Sequence, residues 1–367
     1  MYSQLERRFL WLSESLGSGS RAFMKAMPPS GDMQEVWEDP ERVMPMMRPA
    51  QYQRLLSNRS EAWIDDQIRA MERQNVFAVF QISEDFPDPL RFIPDPPTIL
   101  YVRGQLPQPH RHIIGIVGTR RPSRDGLHAA RDIARGLSQS GVCVVSGLAR
   151  GIDSAAHEGC LEGASPTVAV LGVGHDRCYP PENRDLAELI VQRGGALISE
   201  YPPGTAMHPG NFVRRNRIIS GLASGTLLVE GAENSGAMIT LQDAEKQGRV
   251  RFALPGSIYQ VNSTAPNALL REGAVPVVRY ENILTHMGWQ VEKAPEKAPV
   301  RKARSAPPPQ GDEGKILQAL AVEDLTFGEI AQTTGMEAGP LATALTLMEM
   351  KGLVAALPGK IYRKVRE

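Results

Sequence analysis

Between residues 113 and 280 the chain repeats one pattern of hydrophobic and polar positions: a short β-branched apolar run, a glycine-bearing turn, then a helical segment. The runs are Ile113–Val117, Val142–Ser146, Thr167–Leu171, Ala196–Ser199, Thr226–Glu230 and Arg251–Leu254. Near-continuous apolarity means burial on both faces, which predicts parallel strands covered by helices on either side. The expected fold is α/β, a Rossmann-like, doubly wound and mostly parallel sheet. In such sheets ligands bind beyond the carboxyl ends of the strands, so the loops after the runs carry the candidate chemistry.

The flanks read differently. Apolar residues recur at helical spacing through residues 1–75, interrupted at Gly17-Ser18-Gly19 and Pro28-Pro29, and predict a helical module over residues 1–80. Asp85 to Pro97 (DFPDPLRFIPDPP) is proline-dense and reads as an extended connector opening a central domain at 81–285, since proline fixes φ and restrains its predecessor. Residues 286–311, chiefly Val291 to Gln310, hold too few large apolar side chains to fold alone and read as a linker. Over residues 312–367, Gly314–Leu320, Thr326–Thr334 and Pro340–Met350 predict three helices, and Leu353-Val354 and Ile361-Tyr362 flank Pro358-Gly359. That is a winged-helix outline, usually a DNA reader. Its expected recognition helix, EAGPLATALTLMEMK, carries only Lys351, which favours a protein contact or shape reading over base reading. Lys360, Arg363, Lys364 and Arg366 remain candidate phosphate contacts.

Composition narrows the function. The 367 residues hold 41 Lys and Arg against 41 Asp and Glu, so phosphate binding must come from local clusters of arginine. Cys143, Cys160 and Cys178 fit neither a zinc nor a redox spacing and argue for a reducing compartment, the cytoplasm. No apolar window is long enough to span a membrane, and the first residues lack the pattern of a signal peptide. No cofactor or metal is expected.

The loops supply such clusters. After the first run, Gly118-Thr119-Arg120-Arg121-Pro122-Ser123-Arg124 sets three arginines before a helix beginning near Asp125, where unpaired N–H groups attract phosphate. After the second, Ser146-Gly147-Leu148-Ala149-Arg150-Gly151-Ile152-Asp153 has the chemistry of a phosphate cradle, although no Gly-Lys-Ser/Thr follows to make a nucleotide-hydrolysing loop. Each also has a plainer explanation, because glycines between strand and helix are often turn residues and Asp153 can be a helix cap. Further on, Asn211-Phe212-Val213-Arg214-Arg215-Asn216-Arg217 combines an aromatic face with three cations, which suits a flexible single strand. Taken alone, that stretch is better described as a core phenylalanine and a solvated helix face, because aromatic side chains are usually buried. Ser235 and Gly236, in the loop from Glu233 to Ala237, open another helix.

The ordered segments GIVGTRRPS, VSGLARGIDSAAH, AVLGVGHDRCYPPENR, LISEYPPG, NFVRRNRIISGLASGTLLVEG, NSGAMIT and FALPGS resemble those of the DprA (Smf) family, over about half the chain. The N-terminal helices resemble that family's sterile-alpha-motif-like module. The resemblance implies a non-enzymatic protein that binds single-stranded DNA without sequence preference. It further implies homodimerisation through the Rossmann-like domain and delivery of the strand to the RecA recombinase, notably in natural transformation, with a single-strand-binding protein as a further candidate partner. It assigns phosphate donors to Gly118, Thr119, Ser146, Gly147, Ala149 and Gly151, and charge to Arg120, Arg121, Arg150, Arg214, Arg215 and Arg217. Phe212 should stack on a base, with Asn211, Asn216, Ser235 and Gly236 beside it. Two departures stand out: Val213 replaces a proline common in relatives, and Thr264-Ala265-Pro266-Asn267 replaces a glycine-containing turn expected before the last helix.

Two other functions compete. A nucleotide- or dinucleotide-dependent enzyme on the same fold is suggested by Gly172-Val173-Gly174, His175, Asp176 and Glu200, and weakened by the missing third glycine of the dinucleotide fingerprint. Lone histidines such as His157, His175 and His208 are more often structural than catalytic. A nucleotide-sensing transcription regulator is the other rival, and the unbasic recognition helix argues against it.

Overall fold

The computed structural model describes residues 2–17, 21–108, 111–289, 311–320, 324–351, 353–357 and 361–365. Most of the expected linker, together with Pro358, Gly359, Lys360 and Arg366, lies outside them. The chain divides into two compact units, Met1–Ala294 and Pro295–Glu367.

The first unit is built on a nine-stranded sheet. Its strands are β1 (Phe77–Phe80), β2 (Ile99–Gly104), β3 (Ile113–Val117), β4 (Cys143–Ser146), β5 (Thr167–Leu171), β6 (Ala196–Ser199), β7 (Gly225–Leu228), β8 (Val250–Ala253) and β9 (Val275–Pro276). They lie in the order β1-β2-β6-β5-β4-β3-β7-β8-β9. Strands β3 to β9 run parallel, in keeping with the burial of β4 to β7 on both faces, while β2 joins β6 antiparallel and β1 folds back on β2. From β3 the chain winds outward to β6 on one side, then crosses to β7 on the other. The crevice between the carboxyl ends of β3 and β7 is therefore the switch point at which such sheets bind ligands.

The N-terminal segment does fold into helices, at Gln4–Leu16, Arg21–Ala26, Met33–Glu38, Pro49–Ser57 and Glu61–Glu72. A capping box between Ser3 and Glu6 starts the first of them. These helices share their core with the sheet, however: Phe9, Trp11, Leu55 and Ile64 pack in one cluster with Phe80, Ile99 and Tyr101. The Tyr2 hydroxyl accepts the Ala78 N–H of β1 at 2.7 Å. The boundary expected at residue 80 thus falls at the end of a strand, with apolar packing continuous across it. The proline-dense connector likewise holds a short helix, Asp88–Arg91, and buries Leu90 and Ile93 near Gly221. Thr264 to Asn267, which replace the glycine-containing turn expected before the last helix, form the first half of the helix Thr264–Arg271, and two hydrogen bonds join the Asn267 side chain to Gly256.

In the second unit helices Asp312–Ala319, Phe327–Thr334 and Ala338–Met350 pack around Ile316, Ile330, Leu341 and Leu345. They are joined by a three-stranded sheet, β10 (Leu325–Thr326), β11 (Val354–Leu357) and β12 (Ile361–Lys364), in the order β10-β12-β11. This is the expected winged helix. Arg363, one of its candidate phosphate contacts, is held by Asp324, and Lys351, the one cation of the expected recognition helix, by Glu313.

The tightest helix contact lies between Arg124–Gln139 and Ile152–Leu161, where a Cβ added to Gly159 would sit 2.1 Å from the Arg131 carbonyl oxygen. Gly159→Ala should force these helices apart and lower stability by about 1–3 kcal/mol in urea denaturation. An unchanged midpoint would show that the contact is not close.

Candidate nucleic-acid interface

The loop after β3 is held rigidly through its backbone. Thr119 N–H donates to the Glu230 carbonyl at 2.7 Å, and Ser123 N–H to the Glu230 carboxylate at 2.8 Å. The Asn262 side chain donates to the Arg121 carbonyl at 3.0 Å. Gly151, at φ +80°, meets this loop so closely that a Cβ there would lie 2.5 Å from the Thr119 carbonyl oxygen. Arg120 and Arg121 are left exposed, and neither has a carboxylate partner among the described residues. The helix after this loop starts at Arg124, with Ser123 as its cap and Glu230 beside it. Its N-terminus is consequently occupied by the protein's own oxygens.

The loop after β4 is occupied too. Asp153 is buried, and its carboxylate accepts N–H bonds from Gly147 at 3.1 Å and Ala149 at 3.4 Å. Burial raises this carboxyl above its ordinary range, against the pull of Arg215 and the loop donors. Ser146 is fully buried and its hydroxyl donates to the Ile116 carbonyl at 2.6 Å. The cradle expected here is real in shape, but the anion it holds is Asp153. The roles of Ser146 and Gly147 as phosphate donors are therefore corrected to structural ones.

Helix Pro209–Leu222 is capped by His208 and carries the aromatic and basic stretch. Arg217 is buried and reaches the Glu200 carboxylate at 2.7 Å and Asp95 at 3.0 Å. Arg214 lies 3.3 Å from Asp95. Arg215, also buried, donates to the carbonyls of Gly147 and Val170, and burial lowers its guanidinium to about 10. The expectation that all three supply free charge is thus corrected: Arg217 and Arg214 face carboxylates, and Arg215 braces the end of the sheet. Asn216 donates to the Gly236 carbonyl at 3.1 Å, tying this helix to the start of Gly236–Lys246. The Ser235 hydroxyl there is buried and has no hydrogen-bond partner among the described residues.

Together these elements bound one open cleft of about 780 Å³ at the switch point. Of the sequence candidates, Gly118, Thr119, Arg120, Arg121, Ala149, Phe212, Arg215, Asn216, Ser235 and Gly236 line it. Gly147 and Arg150 border an adjoining recess, with Arg150 paired to Glu182. Ser146, Gly151, Asn211, Arg214 and Arg217 do not reach the cleft wall. Tyr179, Met207, Val213, Thr240 and Asn262 do, and sequence reasoning missed them in that role. Tyr179 packs on Phe212, with ring centroids 5.1 Å apart and planes 53° apart.

The residues that suggested a cofactor enzyme have structural partners. A Cβ at Gly172 would lie 2.6 Å from Phe212, and one at Gly174 would lie 2.5 Å from the Pro202 carbonyl, so both glycines serve close packing. Asp176 accepts the Gly204 N–H, and Glu200 binds Arg217. His157 is buried against Thr167, and burial lowers it to about 3; His175 contacts the Tyr101 carbonyl and lies at about 4 for the same reason. Among the described residues no cluster of His, Cys, Asp or Glu could hold a metal, and no helix is long and apolar enough to cross a membrane.

Residues 77–288 match the family described as DNA recombination-mediator protein A. The chain belongs to that family, DprA. Residues 300–360 match the DprA winged helix domain, in agreement with the second unit. Protein Smf of Escherichia coli is 35% identical over 317 residues, 85% of this chain and 84% of that protein. DNA processing protein DprA of Bacillus subtilis is 35% identical over 221 residues, 60% of this chain and 74% of that one. Among solved structures, DprA from Streptococcus pneumoniae is similar with a TM-score of 0.67 at 29% identity, covering 76% of this chain and 97% of its own. DNA processing protein A from Helicobacter pylori, described for its unique single-stranded DNA binding mode, has a TM-score of 0.52 at 27% identity, covering 58% of this chain and 95% of its own.

In this DprA chain the buried Arg217–Glu200 pair should be structural. Arg217→Met would leave the buried Glu200 with only the more distant Arg214, at 3.9 Å, and lower stability by about 3–5 kcal/mol in urea denaturation, and adding Glu200→Leu should restore most of the loss. A fully stable single variant would contradict the pairing.

Proposed function

We propose that the cleft binds single-stranded DNA without sequence preference and without chemical catalysis. The observation that carries this reading is the pairing of two exposed, uncompensated arginines with a half-buried aromatic residue, all fixed on one edge of the sheet. Arg120 and Arg121 neutralise phosphates, and Phe212 offers a face on which any base can stack. Asn216, Ser235 and Gly236 line the same cleft and supply polar contacts to the backbone of the strand. The likeness to a relative described for its single-stranded DNA binding supports the assignment.

On this reading the protein acts in the cytoplasm as a homodimer joined through its Rossmann-like domain. It protects single strands and loads RecA on them, notably in natural transformation, and meets strands coated by single-strand-binding protein. The family's description as a recombination mediator supports that role. The winged helix, whose third helix exposes Leu347 and Met350, contributes a protein contact rather than base reading.

The experiment compares wild type with Arg120→Ala/Arg121→Ala/Phe212→Ala on a labelled single-stranded oligonucleotide, with duplex competitor and across a salt series. Wild type should prefer the single strand, and its affinity should fall steeply with salt. The folded variant should lose most binding, with a log–log salt slope shallower by roughly 0.7 for each phosphate contact removed. Equal binding by the variant, or preference for duplex, would refute the site; tight binding of mononucleotides would favour a nucleotide-sensing protein.

A further inference from the structure

We propose that Tyr179 is a second base-stacking residue, and that with Phe212 it forms an aromatic step requiring an unpaired base and so selecting single strands over duplex. This rests on the single-strand reading above and goes beyond it by assigning the source of strand selectivity.

Tyr179 comes from the loop after β5 and Phe212 from the helix Pro209–Leu222, and the two rings meet at the cleft. Their centroids are 5.1 Å apart and their planes tilted by 53°, so the pair presents a stepped surface. The Phe212 ring is packed in place, and the chain beside Tyr179 is anchored. Phe212 lies against the backbone of Gly172, where an added Cβ would be 2.6 Å from its ring. The Tyr179 segment is pinned by Asn183, whose side chain donates to the Leu148 carbonyl at 2.8 Å and to the Ser154 hydroxyl at 2.9 Å. Pro180, next to Tyr179, is buried.

Tyr179 lines both the cleft, which it shares with Arg120, and the adjoining recess, which it shares with Arg120 and Arg150. A strand whose phosphates pass Arg120 would bring a base against this step. In duplex DNA the base faces are covered by their neighbours, so only a splayed base gains the contact. Because every base has a π face, the contact selects strandedness without selecting sequence.

The test uses the full chain with Tyr179→Leu and Tyr179→Phe, titrated against a fluorescent oligothymidine, a matching strand of abasic tetrahydrofuran units and a duplex. Tyr179→Leu should weaken oligothymidine binding by about 5- to 150-fold, the range expected of one stacked base. It should leave abasic and duplex binding within about 2-fold, so single-strand preference falls by the same factor, and Tyr179→Phe should retain wild-type behaviour. Thermal melting of both variants checks the fold. Wild-type affinity of a folded Tyr179→Leu would overturn this proposal while leaving the single-strand reading intact. An equal loss on the abasic strand would also overturn it, by showing a role through loop shape or phosphate. If wild type itself fails to bind oligothymidine, both readings fall.

Discussion

Two buried carboxylates, Asp153 and Glu230, hold the carboxyl edge of the sheet together. A parallel sheet ends in loops whose N–H groups need acceptors, and at a switch point several loops converge with little regular structure to supply them. Here Asp153 satisfies the loop after β4, and Glu230, through both its carbonyl and its carboxylate, fixes the loop after β3. The edge is thus formed before any ligand arrives. In the loops after β3 and β4 the backbone donors of Thr119, Ser123, Gly147 and Ala149 are already used, and what these two loops offer outward is side chains.

That arrangement explains how a chain with no net charge can present a basic cleft. Most arginines near the site are tied to acidic partners or to carbonyls, as Arg217 is to Glu200 and Asp95 and Arg215 is to Gly147. Arg120 and Arg121 are displayed without such partners, at the place where Phe212 and Tyr179 also surface. Charge is local because its compensation is arranged one residue at a time. A salt-sensitive interaction confined to a small part of the surface follows from that.

Much of this was legible in the sequence. The runs Thr167–Leu171 and Ala196–Ser199 mark β5 and β6 to the residue, because a strand buried on both faces has no polar position to blur its limits. The loops after β3, β4 and β7 and the helix after β6 do converge on one cleft, as the topology rule requires. Partnerships between distant residues were not legible. Nothing local shows that Arg217 meets Asp95 or that the β4 loop closes on Asp153, so a basic stretch and a glycine loop both looked more available than they are. Tyr179 was hidden in a proline-rich turn that gives no hint of which side chain faces Phe212. The hairpin of β1 and β2 was missed because a proline-dense segment separates its strands, and their partners are helices and β6 rather than the repeating unit.

The shared core of the N-terminal helices and this hairpin bears on how such a protein can change over generations. Strand β1 lies at the margin of the sheet, and Tyr2 closes one of its outward N–H groups while Phe9 and Trp11 cover the apolar side. The helices therefore serve as a lid on an adhesive margin as well as an appendage. A lineage could not shed them by a simple deletion of coding sequence without exposing that margin to a neighbouring copy. It would have to acquire a replacement cover or lose the hairpin with them, so helices and hairpin should be inherited or discarded together.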